Sequence, residues 1–176
     1  MVNMFSLFFT KKINSIARYA LALLFVFASL QITYAANLVV SPSSVTTKVG
    51  KTFSVDINVS NNLDAINAVS ALVSFPEDSL SVVSVSKAGS FITLWAEEPT
   101  FSNDKGTLSL EGVALNPGFN KATGKVISVT FKAKQAGNVS VTIKSGAILA
   151  NDGNATDVLK TTGSAFVYIN EEEEEP

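Results

Sequence analysis

The sequence predicts an all-β protein made of two packed antiparallel sheets. Three observations carry that expectation. From Leu38 to Ile169 apolar residues recur with period two, turn-forming residues punctuate the runs every few residues, and no segment there sustains a helical period.

The alternation is plainest at Phe53, Val55, Ile57 and Val59, which alternate with Ser54, Asp56, Asn58 and Ser60. A strand buries one face and wets the other, so this run has one side in a core. The pattern returns at Val69, Ala71, Val73 and Phe75, at Ile127, Val129, Phe131 and Ala133, and at Val139, Val141 and Ile143. Phe166 to Ile169 supplies a last short strand. Between the runs fall Val49-Gly50-Lys51, Asp104-Lys105-Gly106, Asn116-Pro117-Gly118, Ala136-Gly137-Asn138 and Asn151-Asp152-Gly153, each with turn chemistry. One helical turn is expected at Pro76 to Leu80, because proline suits a first helical position. No repeat is visible, which excludes solenoids and propellers.

The first 36 residues read as an export signal. Lys11, Lys12 and Arg18 precede the apolar run Ala20 to Leu30, and Thr33-Tyr34-Ala35 sets small residues at the −3 and −1 positions of a cut after Ala35. The apolar run is shorter than the roughly 20 residues of a membrane span. A retained signal-anchor is the alternative to cleavage, and the membrane enters only through this segment. The expected organisation is a signal peptide over 1–36, a β-sandwich over 37–170 and an acidic, disordered tail or linker start over 171–176. The mature protein is expected outside the cell or on its surface.

Beyond residue 36 there are ten lysines, no arginine, and ten acids before the run Glu171 to Glu175. A neutral domain without arginine lacks the basic stripe and the forked donors of nucleic-acid readers. The chain has no Cys and no His. That excludes disulfides, thiol nucleophiles, Ser-His-Asp chemistry and zinc held by nitrogen or sulfur. The adjacent acids Glu77/Asp78 and Glu97/Glu98 do not form the convergent pair that glycoside hydrolysis requires. No enzyme activity and no cofactor are expected.

Five segments, in order, resemble a cohesin domain: Val49 to Val55 (VGKTFSV), Asn67 to Pro76 (NAVSALVSFP), Leu80 to Val85 (LSVVSV), Gly124 to Lys134 (GKVISVTFKAK) and Ala147 to Gly153 (AILANDG). The resemblance spans about Leu38 to Ile169. It implies a jelly-roll sandwich of about nine strands that serves as a receptor for dockerin modules, which attach polysaccharide-degrading enzymes to a scaffold or cell surface. Carbohydrate-binding modules share the superfamily, so a polysaccharide is the rival ligand, and a structural adhesin domain is a third reading. The domain is expected to act as a monomer. Where well-studied cohesins carry an outward Asn and Asp on the long middle strand, this chain has Ala68 and Ser70. A partner differing from the standard dockerin fits that departure.

Three constellations are candidates for function. The outward set Ala68, Ser70, Leu72 and Ser74, joined in a cohesin arrangement by Thr107, Ser109, Glu111 and Val113, makes a small-residue platform suited to a docking helix. A covering loop is the alternative. Leu72→Asp is expected to leave the free domain almost unchanged, since Leu72 points outward. Trp95 and Phe101, in what reads as a long connection from Phe91, join Phe119 as candidates for stacking on sugar rings. Trp95 as a plug of the sandwich end is the alternative. Asn151, Asp152 and Asp157 offer closely spaced oxygens to calcium, although the spacing is not that of an EF-hand and these are ordinary turn residues.

Overall fold

The computed structural model describes residues 35–61 and 65–171. The expected signal peptide up to residue 34 and the acidic tail beyond Glu171 lie outside the described residues. The strands are β1 (Ala36–Ser41), β2 (Ser44–Lys48), β3 (Thr52–Asn61), β4 (Ile66–Ser74), β5 (Leu80–Ser86), β6 (Leu94–Ser102), β7 (Thr107–Val113), β8 (Thr123–Ala133), β9 (Gly137–Ala150), β10 (Leu159–Thr162) and β11 (Ser164–Asn170).

They form a five-stranded sheet in the order β10-β1-β3-β8-β5 and a six-stranded sheet in the order β2-β11-β9-β4-β7-β6. The all-β sandwich stands, with two refinements. Eleven strands are described where about nine were expected, and β2 and β10, of five and four residues, are too short to display a period. Those two also pair in parallel, β2 with β11 and β10 with β1, so the sheets are mixed and not purely antiparallel. The turn at Pro76 is there: its carbonyl accepts from the Ser79 and Leu80 N–H groups, closing one turn before β5.

The core lies between the sheets, on the faces the alternation assigned. Val55, Ile57 and Val59 of β3, Val129 and Phe131 of β8, Val69, Ala71 and Val73 of β4, and Val141 and Ile143 of β9 are all buried. Phe131 is fully covered, stacks on Phe53 at 5.7 Å and meets Phe75 edge-on at 5.2 Å. One irregularity has a clear cause. The β3–β8 register slips at Ile57/Asn58, so Val126 has no partner opposite it and both Val126 and Ile127 turn into the core.

Asn103 ties the two sheets together at one end. Its side-chain oxygen accepts from the Val82 N–H at 2.7 Å and its amide donates to the Val82 carbonyl at 3.1 Å, so the β6–β7 turn bonds β5 as a strand would. Val83 sits in the adjoining bulge and is thrown outward. The same turn ends in Gly106 at φ +60°, where a side chain would meet the Phe75 carbonyl oxygen at 2.1 Å.

Candidate functional site

Four strands of the six-stranded sheet, β9, β4, β7 and β6, carry the outer face that the middle strand presents. Directly opposed residues share a face, so the register assembles rows across them. The first row is Leu149, Ala68, Val113, Leu94 and the second is Ala147, Ser70, Glu111, Glu97. The third is Ser145, Leu72, Ser109, Thr100, and the fourth is Thr142, Ser74, Thr107, Ser102. At about 4.8 Å between strands and about 6.8 Å between rows, the grid measures roughly 14 by 20 Å.

Its chemistry changes from row to row. One end is apolar, extended at the corner by Leu115, which is 58% exposed and whose N–H bonds the Thr93 hydroxyl. The second row carries two carboxylates directly opposite each other, an arrangement that destabilises an isolated sheet. Ser109 donates to Glu97 at 3.0 Å and shares a hydrogen bond with Thr100 at 3.1 Å, which holds Glu97 over the face. The third row centres on Leu72 and the fourth is all hydroxyl. Leu72 is only 39% exposed, so its neighbours cover more than half of it, and the expectation that Leu72→Asp costs the free domain almost nothing is corrected.

The outer face of the five-stranded sheet is different in kind. There Ser54 pairs with Thr130 at 2.9 Å, Ser128 donates to Asp56, and Thr161 donates to Asn37 at 2.7 Å. That face is a polar lattice bonded to itself.

The segment read as a long connection is an edge strand, β6, which brings Leu94 and Glu97 onto the grid. Sequence reasoning missed both. Two register slips, at Trp95/Glu97 and Glu97/Thr100, erase the period that would have announced the strand. The bulges, with Glu98 and Pro99, also guard this edge against pairing with another chain.

The three aromatic candidates do not share a platform. Trp95 opposes Gly112 on the core side, where a side chain on Gly112 would meet Ile92 at 2.5 Å and the indole at 3.1 Å. It is half-buried against the core, with the Lys87 ammonium 5.7 Å from the ring centre and itself bonded to Glu98 at 2.6 Å. Phe101 opposes Leu108, about 13 Å along β7 from Gly112, and is 44% exposed at the rim. Phe119 stacks on Phe91 at 4.1 Å and its backbone bridges to Ile66. Glu97 and Glu98 point apart, one to Ser109 and one to Lys87.

In the 151–157 loop both candidate carboxylates already have partners. Asp152 accepts from the Asn154 N–H at 2.8 Å and from the Thr156 hydroxyl, and these bonds hold its carboxyl below the usual range, the Thr156 bond contributing most. Asp157 accepts from the N–H groups of Ile148 at 3.2 Å and Leu159 at 3.0 Å. The Asn151 amide donates to the Pro117 carbonyl at 3.0 Å. No cluster of three or more acids suited to a metal occurs among the described residues.

The architecture is a five-on-six β-sandwich whose six-stranded sheet carries the exposed grid, the build of a binding module. The chain belongs to the cohesin family: the model of the cohesin domain matches residues 38–167. No curated protein matches it. Among solved structures the chain is similar to the seventh ScaB type I cohesin of Pseudobacteroides cellulosolvens, at 15% identity and a TM-score of 0.64, over 81% of this chain and 96% of that one. It is similar to a non-cellulosomal cohesin of the archaeon Archaeoglobus fulgidus, at 17% identity and a TM-score of 0.61, over 77% and 91%. A cohesin from a type I cohesin–dockerin complex of Clostridium thermocellum is alike at 16% identity and a TM-score of 0.62, over 77% and 95%. Likeness at these identities establishes the fold. Cohesin modules are non-catalytic binding domains.

Proposed function

We propose that this chain is a secreted cohesin-type receptor that binds a dockerin-like protein through the outer face of its six-stranded sheet, within an extracellular polysaccharide-degrading or cell-surface assembly. The observation that carries the reading is the row structure of that face: an apolar end, an opposed carboxylate pair, and Leu72 framed by serines. A partner helix with apolar side chains for the first and third rows and Lys or Arg for Glu97 and Glu111 matches it in shape and charge. Solved cohesin–dockerin complexes in the same fold support a partner of that class. At Ala68 and Ser70, in the first two rows, contact rests on close backbone approach and on the carboxylates beside Ser70.

The test is titration of the full chain against purified dockerin-bearing exported proteins of the source organism, with Leu72→Asp as the control. Saturable binding that Leu72→Asp abolishes supports the proposal. Absence of binding to every dockerin refutes it, and retention on polysaccharide through Trp95 would install the rival reading instead.

A further inference from the structure

The six-stranded sheet carries a second exposed feature, at the corner diagonal to the apolar row. On β11 the residues Val167 and Ile169 face the core, so Phe166 and Tyr168 face outward, and they are 58% and 45% exposed. Two residues apart on one strand, the rings stand about 6.8 Å from each other on one flat surface.

The residues directly opposite them are chemically alike. Phe166 has Ser44 of β2 on one side and Ser140 of β9 on the other, and Tyr168 has Thr46 and Asn138. Each registered neighbour is a hydroxyl or an amide, and none is charged. Leu72, by contrast, lies within reach of the Glu97–Glu111 row.

Two exposed rings in a neutral frame of donors and acceptors suit a ligand with both apolar faces and many hydroxyls. A sugar ring presents C–H groups on its face and hydroxyls around its rim, so it stacks on the aromatic and bonds the flanking side chains at once. The nearest cation on that face of β2, Lys48, follows Thr46 and already has an interaction partner, so an anionic ligand gains little here. We infer that Phe166 and Tyr168 form a binding site for an extended neutral polysaccharide, separate from the protein-docking rows. Two consecutive sugars along one chain would cover the two rings. The site places a glycan and a protein partner on the same face without overlap, so the module could hold both together.

The experiment is depletion binding of the full chain on microcrystalline cellulose, chitin and insoluble xylan, comparing wild type with the Phe166→Ala/Tyr168→Ala double variant and with Leu72→Asp. The expected result is retention on at least one of the three, at least tenfold weaker in the double variant and unchanged in Leu72→Asp. Each ring is about half covered by its neighbours, so the double variant should stay folded but melt somewhat below the wild type; a melting curve confirms that the fold is kept. Absence of retention on all three polymers overturns the inference, and so does retention that the double variant keeps. Loss of protein-partner binding in the double variant, with polysaccharide binding absent, would reassign the rings to the docking interface.

Discussion

Replacing Leu72 with Asp separates folding from binding at a single position. In the free domain about three-fifths of this side chain is covered, because its relative exposure is 39%. Complete burial of a leucine is worth about 1.5–3 kcal/mol, so the substitution should cost the free domain about 1–2 kcal/mol. A domain with an ordinary stability of about 5–15 kcal/mol remains folded after that loss. In a complex centred on the third row, the new carboxylate would be buried between Ser109 and Ser145 against an apolar side chain of the partner, with Glu111 competing for any cation the partner brings. Burying an unpaired charge costs several kcal/mol, and at about 1.4 kcal/mol per decade the affinity should fall roughly a thousandfold or more. Calorimetric titration against a dockerin partner reads the second quantity and urea melts read the first. Partner affinity within about threefold of wild type would refute the placement of the contact. A stability loss above about 4 kcal/mol would show that the face is core and not a docking surface.

Neutralising the opposed pair with Glu97→Gln/Glu111→Gln should leave the free domain as stable or slightly more so, while lowering partner affinity and flattening its dependence on salt; melts and titrations at two ionic strengths check both. Phe131→Ala should cost about 3–5 kcal/mol, since it empties a fully buried site and removes two ring contacts, while Lys132→Ala, one residue on and exposed, should cost less than about 0.5 kcal/mol in the same denaturant melts. Asp152 is held below its usual pKa in the folded loop, so its contribution is present above the unfolded value near 3.9 and fades as pH falls through the folded value. The difference in melting temperature between wild type and Asp152→Asn should therefore hold steady from about pH 5 to 8 and shrink below about pH 4, which a pH series of thermal melts would show.

The inner faces were legible because burial imposes a period that sequence displays. Phe53 to Val59 and Val69 to Phe75 alternate cleanly, and each residue that pattern sent inward is buried or packed on the core. What escaped was whatever broke the period. β6 slips register twice and so reads as a loop, which hid Leu94 of the apolar row and Glu97, one of the two opposed carboxylates. The β2–β11 and β1–β10 pairings join segments more than a hundred residues apart, and local pattern holds no record of such a choice. At β11 the strand was legible but its phase was not. Phe166, Val167, Tyr168 and Ile169 are all apolar, and only the fold decides which two of them meet water.

The positions of the first and last strands have a consequence for how the chain folds. β1 lies between β10 and β3, and β11 lies between β2 and β9, so neither end of the domain is an edge. A chain still being made therefore has β1 and β2 each lacking a neighbour that arrives near residue 160 or later. Neither sheet can close until nearly all of the sequence is available, and non-local pairing of this kind places folding in the range of milliseconds to seconds. Until then β2 lacks its one partner and β1 pairs on one side alone, so two strand edges stay open. A nascent chain stopped before β11 would be a substrate for proteases, not a smaller domain.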